Sequence, residues 1–151
     1  MRPMSVLVLS LLASATAASA QGAQPAPTAS ASTCGRISVF DVAPRGQGLY
    51  RAKLLNLDGQ APGPSGARSF RVQPGPHELE VAEAIDNDQF NDLQLQQRVR
   101  NADRYKVLKL DVQPGVTYSL AAKLIEARRN YILDESYWEP VIFQQVNEAC
   151  R

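Results

Sequence analysis

Apolar and polar side chains alternate on both sides of the tetrapeptide Val-Gln-Pro-Gly at residues 72–75. The alternation covers residues 70–72 before the tetrapeptide and residues 77–81 after it. A period of two is typical of a strand with one buried face, and proline followed by glycine favours a tight turn. This segment therefore predicts a strand, a tight reversal and a second strand.

Residues 112–115 repeat the tetrapeptide, and the flanking residues 108–112 and 118–124 alternate in the same way. In this second copy the alternation resumes one residue later after the proline. A slip of one residue turns every side chain of a strand to the opposite face. We therefore expect the second connection to carry one extra residue or a β-bulge.

Three further segments, residues 37–42, 49–57 and 137–145, also have the composition of strands. The last contains Pro140, which indicates an edge position because proline cannot donate a hydrogen bond to a central ladder. Seven short strands separated by turn residues predict an all-β fold, and specifically an antiparallel β-sandwich.

Residues 86–104 break this pattern, because they are polar and rich in Asn, Asp and Gln. Their sizeable apolar side chains fit neither one helical face nor a strand; these are Phe90, Leu93, Leu95 and Val99. The segment predicts a long loop with one helical turn. Loops of this length inside compact domains are uncommon and often functional, so a binding surface is expected here.

The N-terminal residues 1–20 have the layout of an export signal, with Arg2, an apolar run and an A-x-A cleavage site at residues 18–20. Residues 21–33 lack charged and large apolar side chains, which predicts a disordered linker. Residues 34–151 then form a single domain. We expect a periplasmic or secreted protein without membrane insertion after cleavage, because the apolar run is about half the length of a bilayer crossing.

Charge and cysteine content narrow the choice of partner and compartment. The chain has 16 Lys and Arg and 15 Asp and Glu residues, and removal of Arg2 with the signal balances the two signs. Because these charges are scattered, no nucleic-acid partner is indicated. Cys34 and Cys150 stand at the ends of the domain, and an oxidising compartment favours a disulfide between them. Such a bond would add about 4 to 5 kcal/mol in the chain-entropy model, while unpaired cysteines or an intermolecular bond stay open as alternatives.

His77 is the only histidine, which excludes a multi-histidine metal site. It alternates in step with Leu79 and Val81, which places it on the same face of the strand, toward the core. We therefore interpret His77 as a hydrogen-bonded structural residue in preference to the base of a small hydrolase. The chain contains no glycine-rich phosphate loop, nucleophile elbow or zinc-ligand spacing. Neither a cofactor nor a metal nor a catalytic residue is therefore expected.

Aromatic side chains are the candidates for ligand binding. Four aromatic residues near the end of the chain, together with Phe90, are suited to stack on a sugar ring or a partner's apolar edge; the four are Tyr131, Tyr137, Trp138 and Phe143. Trp138 is the only tryptophan, and a lone tryptophan more often packs into a core, so the core interpretation is preferred for it.

Residues 54–81 combine Leu-Asn-Leu-Asp-Gly with Phe-Arg-Val-Gln-Pro-Gly-Pro-His-Glu-Leu-Glu-Val. This run resembles the PEGA-type domains of bacterial envelope proteins, which are small β-sandwich modules. The resemblance implies a non-catalytic envelope module and brings no catalytic residue with it. The leading expectation is thus an exported structural or binding module with an envelope protein or glycan as partner. The alternatives are a carbohydrate- or peptidoglycan-binding domain that uses Tyr137, Trp138 and residues 86–104, and a small hydrolase that uses His77.

Overall fold

The computed structural model describes residues 33–39, 43–100 and 105–148. The predicted signal peptide lies outside the described residues, as does the predicted linker apart from Thr33. The described part of the chain is mostly β with one helix, so the prediction of a β-rich fold is confirmed at that level.

Each of the seven predicted strand segments overlaps one observed strand. The strands are β1 (Gly35–Ser38), β2 (Leu49–Leu57), β3 (Ser69–Val72), β4 (Gly75–Ala84), β5 (Tyr105–Val112), β6 (Val116–Leu124) and β7 (Trp138–Asn147). The helix α1 is Asp92–Arg100, and short 3-10 turns lie at Arg45–Gln47, Asn87–Gln89 and Glu126–Arg128.

The strands form one mixed sheet in the order β3-β1-β6-β2-β4-β5, with β7 also paired to β6. β1 runs parallel to β6, whereas the other described pairs are antiparallel. The purely antiparallel arrangement expected from the sequence is therefore corrected at β1. The alternation of a strand specifies which face is buried but carries no information about the direction of its neighbour.

One edge of β6 is shared by two strands. β7 pairs with β6 from Val116 to Leu124, and it contacts no other strand through a ladder in the described part, in agreement with the edge position expected from Pro140. On the opposite edge, β1 pairs with residues 117–119 of β6 and the start of β2 pairs with residues 122 and 123. From Arg51 onward β2 pairs with β4 instead.

Both Val-Gln-Pro-Gly segments connect strands that do not pair with each other. β3 pairs with β1, whereas β4 pairs with β2 and β5. β5 pairs with β4, whereas β6 pairs with β1, β2 and β7. Each reversal therefore carries the chain between the β1–β6 part of the sheet and the β4–β5 part, and neither is a β-hairpin.

The two tetrapeptides lie beside each other, since Gly75 of the first pairs with Val112 of the second. Two residues, 73 and 74, separate β3 from β4, and three residues, 113–115, separate β5 from β6. The extra residue expected in the second connection is therefore confirmed. Gly75 and Gly115 have φ values of 128° and 71°, which a residue with a side chain rarely adopts.

β6 is covered on both faces, because residues 117–122 are all buried. Tyr118 and Leu120 belong to the main core with side chains of β2 and β4. Ala121 packs on the other face in a small cluster with Ala43 and Leu49. The sequence predicted one buried face for this strand, whereas the structure covers both.

The helix α1 is longer than the single helical turn expected within residues 86–104. Its first turn is closed reciprocally: the Gln94 N–H donates to Asn91 Oδ1 and the Asn91 N–H donates to Gln94 Oε1, both at 2.9 Å. This is a capping box, and its signal in the sequence, Asn91 followed three residues later by Gln94, was not recognised. Residues 101–104, at the end of the predicted loop, lie outside the described residues.

The described ends of the domain meet at Gly115. Its N–H donates to the Cys34 carbonyl and its own carbonyl accepts from the Glu148 N–H, each at 2.8 Å. Cys34 is buried, with 5% of its surface exposed. Cys150 lies outside the described residues, so its pairing with Cys34 stays a prediction.

Gly35 offers a direct test of the packing between β1 and the second Val-Gln-Pro-Gly segment. A methyl group at this position would overlap the Val112 side chain and lie 2.9 Å from the Gln113 carbonyl oxygen. We expect Gly35→Ala to lower the free energy of unfolding by about 1–3 kcal/mol, measured by urea denaturation. Gly46→Ala is the control, because no atom lies within 4 Å of its added methyl group. Equal effects of the two substitutions would contradict the close approach at Gly35.

Candidate functional site

A groove of about 740 Å³ opens beside β2, next to the point where β2 leaves β6. β2 pairs with β4 on one edge, and in the described part of the chain its other edge is paired only at Leu49 and Tyr50. Beyond Tyr50 no described strand pairs with that second edge, and residues 51–55 line the groove. The lining comprises Val39, residues 51–55, residues 65–68, Phe70, Ala84 and Asp86.

The alternation of β2 determines what the groove presents. Ala52 and Leu54 are buried, whereas Arg51, Lys53 and Leu55 are exposed. The ladder with β4 shifts register between Leu54 and Asn56, so Leu55 lies at a bulge and is 42% exposed. The opposite wall is held to the end of β1 by a hydrogen bond of 2.8 Å from the Val39 N–H to the Arg68 carbonyl.

The groove carries an excess of positive charge. Arg51, Lys53 and Arg68 line it, and Asp86 is its only acidic lining residue among those described. Asp86 already forms an ion pair of 2.8 Å with Arg45. The balanced composition of the chain concealed this local excess, because Arg68 is brought to β2 only by the fold.

A buried ion pair fixes the helix beside the sheet. Arg98 Nη2 of α1 lies 2.7 Å and 2.9 Å from the two carboxylate oxygens of Glu83 in β4, and the two side chains are 8% and 2% exposed. The Ile85 N–H donates to Glu83 Oε2 at 2.7 Å, and Arg98 donates to the Ile85 carbonyl and to Asn87 Oδ1. These additional hydrogen bonds are what a buried charge pair requires for its desolvation to be offset.

Two of the predicted binding residues, Phe90 and Tyr137, belong to this buried network. Their rings meet edge to face with centroids 5.7 Å apart, and the Arg98 guanidinium lies 4.2 Å from the Phe90 centroid. The Tyr137 hydroxyl donates to Glu83 Oε1 at 2.9 Å. Burial, followed by the charge of Glu83, raises the pKa of Tyr137 well above its ordinary value.

Trp138 is also enclosed. The Lys106 ammonium donates to the Trp138 carbonyl at 2.6 Å and lies 5.2 Å from the centre of its ring, and burial lowers the pKa of Lys106. Tyr137 and Trp138 are 0% exposed and Phe90 is 8% exposed. These three aromatic candidates therefore pack in the core and offer no stacking face to a sugar, which matches the core interpretation of Trp138. Of the other two candidates, Phe143 is partly buried and Tyr131 is 58% exposed.

His77 binds two acceptors with its two ring nitrogens. Nδ1 lies 2.6 Å from Asp58 Oδ2, and Nε2 lies 2.8 Å from the Gln73 carbonyl oxygen. The other oxygen of Asp58 accepts from the Glu78 N–H at 2.9 Å. The carboxylate beside His77 was missed in the sequence, because Asp58 lies 19 residues before the histidine and only the fold brings the two together.

Both partners of His77 are acceptors, so both ring nitrogens donate and the imidazolium form is the one that fits. Burial by itself would lower the pKa of His77, but the hydrogen bonds to Asp58 and Gln73 together raise it above the ordinary value. The Glu78 N–H and then His77 lower the pKa of Asp58. This arrangement stabilises the charged form of His77.

Comparisons of the chain with family models, with curated proteins and with solved structures gave no match. The resemblance of residues 54–81 to PEGA-type domains therefore stays a prediction. Among the described residues, no cluster of three or more His, Cys, Asp and Glu side chains is placed to hold a metal ion. The helix in the described part is too short and too polar to cross a membrane.

The His77–Asp58 pair can be followed by NMR without assignment ambiguity, because the chain has one histidine. We expect the pKa of His77 to exceed 6.5 and to fall in Asp58→Asn, where burial is no longer opposed by the carboxylate. Asp111→Asn, which removes a weaker electrostatic contribution, should shift it little.

The same pair predicts a pH dependence of stability. Because the pKa of His77 is raised, its contribution to folding stability is fully present below pH 6.5 and is lost as the pH rises through the raised value. Because the pKa of Asp58 is lowered, its contribution to folding stability is fully present above pH 3.8 and is lost as the pH falls through the lowered value. The stability difference between the native chain and Asp58→Asn should therefore be largest between these values. A difference independent of pH would contradict the assignment.

The Glu83–Arg98 pair predicts a large and non-additive loss of stability. Arg98→Met leaves the Glu83 carboxylate buried without its cation, so we expect the free energy of unfolding to fall by about 3–5 kcal/mol in urea denaturation. Glu83→Gln combined with Arg98→Met should lose less than the sum of the single changes. Arg100→Met, at an exposed position of the same helix, is the control. Additive losses would mean that the two side chains do not depend on each other.

Proposed function

We propose that the protein is an exported, non-catalytic module that binds a partner through the groove beside β2. The observation that carries this proposal is the combination of a β2 edge that no described strand pairs with beyond Tyr50, a volume of about 740 Å³ and a local excess of positive charge. The partner that we propose is an envelope protein.

The proposed architecture is a β-sandwich in which the sheet turns over on itself at β2. Leu79 and Val81 of β4 share one core with Tyr118 and Leu120 of β6, although β4 and β6 do not pair. This packing supports two layers. The resemblance of residues 54–81 to PEGA-type domains supports the same architecture and the same non-catalytic role.

The absence of catalysis is proposed from the state of His77. A general base needs an unprotonated nitrogen within reach of a substrate. In His77 both nitrogens are engaged with acceptors, and the hydrogen bonds favour the protonated ring. The hydrolase alternative is not preferred although Asp58 lies beside His77, because both ring nitrogens are engaged with acceptors. The glycan-binding alternative loses Tyr137 and Trp138 as a stacking surface, because both side chains are buried.

Export to the periplasm or the medium is proposed from the N-terminal sequence, and the paired cysteines would suit that compartment. N-terminal sequencing of the protein recovered from an exporting bacterial host tests it. A mature chain that starts at Gln21 is the expected result, and a cytoplasmic chain that retains Met1 would contradict export.

The binding role is tested by photocrosslinking in the exporting host. Benzoylphenylalanine at Leu55, inside the groove, should give one discrete adduct identifiable by mass spectrometry. The same probe at Tyr105 is the matched control, because the two positions are 42% and 44% exposed. No adduct at Leu55, or the same adducts from both positions, would overturn the proposal.

A further inference from the structure

We infer that the open edge of β2 takes an extended acidic polypeptide segment, which adds to the sheet as a strand and pairs with residues 51–55. This inference rests on the proposed function and names the chemical class of the partner. It depends on three features of the groove: its backbone edge, its charge and the size of its lining side chains.

The backbone edge favours a strand over a compact ligand. β2 continues to Leu57 in pairing with β4, but β6 covers its other edge only at Leu49 and Tyr50. From Arg51 to Leu55 the strand advances roughly 13 Å at about 3.3 Å per residue. A partner segment of four or five residues is therefore long enough to satisfy the exposed donors and acceptors through main-chain hydrogen bonds.

The positive charge of the groove favours a partner segment with negative charge. Arg51 and Lys53 project from the exposed face of β2, and neither forms an ion pair with another residue in the described part of the chain. Arg68 lies on the opposite wall, where its carbonyl accepts from the Val39 N–H. Opposite charges on neighbouring strands stabilise pairing, so Glu or Asp at alternate positions of the partner fits this edge.

The side chains that line the groove determine which residues of the partner fit between its acidic ones. Ala52, Ala67 and Ala84 leave room beside Leu54 and Phe70. Alternate side chains of an added strand point to opposite faces, so those that point inward would meet this apolar floor while the acidic ones meet Arg51 and Lys53. The recognised pattern is thus acidic and small apolar residues in alternation.

A second copy of the chain does not fit as the occupant. Pairing of two β2 edges would place the Arg51 and Lys53 side chains of one copy beside those of the other, and like charges on adjacent strands are destabilising. Charged residues and a bulge also protect strand edges from self-association. The same features leave the edge open to a strand of opposite charge.

The probe for this inference is a fluorescein-labelled octapeptide of alternating Glu and Val, measured by fluorescence anisotropy against the mature chain. Saturable binding that weakens at least tenfold in Arg51→Glu with Lys53→Glu is the expected result. Arg71→Glu with Lys109→Glu is the control, since it makes the same charge change at exposed positions of β3 and β5. The doubly substituted groove should in turn prefer a Lys–Val octapeptide.

A second pair of peptides separates strand addition from simple charge attraction. N-methylation of alternate residues removes the donors of one edge of the peptide, so methylation in one frame should abolish binding and methylation in the other frame should preserve it. Equal binding of both peptides, or equal loss in the groove and control variants, would overturn strand addition. Stronger binding of single-stranded DNA or of phosphatidylglycerol vesicles through the same residues would overturn the choice of a polypeptide.

The outcomes also distinguish this inference from the proposed function. If the Leu55 crosslink forms but no acidic peptide binds, the groove binds a partner of different chemistry and only the inference fails. If neither occurs, both fail. A chain that dimerises in sedimentation experiments through β2, with dimerisation enhanced in Arg51→Glu alone, would replace the peptide by a second copy.

Discussion

The single edge of β6 that serves two strands determines the rest of this structure. β1 is parallel to β6 and occupies residues 117–119, so that Ser38 already lies opposite Ser119. β2 enters the same edge antiparallel at residues 123 and 122. Had β2 continued along β6, its residue 53 would have come to Ser119 and collided with β1. β2 leaves this edge after Tyr50 and pairs with β4, and the groove lies beside the point where it leaves.

The sequence predicted the strands because their signals are local. Alternation and the Pro-Gly turns located all seven strands, and β2 was predicted with its observed bounds. The partners of those strands depend on contacts between distant residues, which turn chemistry does not encode. Pro74 and Pro114 each reverse the chain, but a reversal can join two paired strands or lead from one part of a sheet to another. The parallel direction of β1 relative to β6 was not predicted for the same reason.

The candidate site was less predictable than the fold. Residues 86–104 looked like a solvated loop because polar side chains dominate them, yet Arg98 and Gln94 are buried by partners distant in sequence, Glu83 and Asn130. The aromatic residues near the C-terminus were predicted to form a stacking surface. A tyrosine can also be buried when its hydroxyl has a partner, as Tyr137 does by donating to the Glu83 carboxylate. The groove itself consists of ordinary residues, Arg51, Ala52 and Lys53, whose importance arises from an unpaired backbone edge.

The exposed strands differ in whether their edges can pair with an added strand. β7 carries Pro140, which lacks the donor that an added strand would need, and β3 is only four residues long. β2 is nine residues long and has no proline, and its exposed face carries two basic residues, Arg51 and Lys53. Proline excludes every partner alike, whereas cations exclude only those that carry the same charge. The β2 edge therefore keeps the capacity for pairing and restricts it to segments of opposite charge.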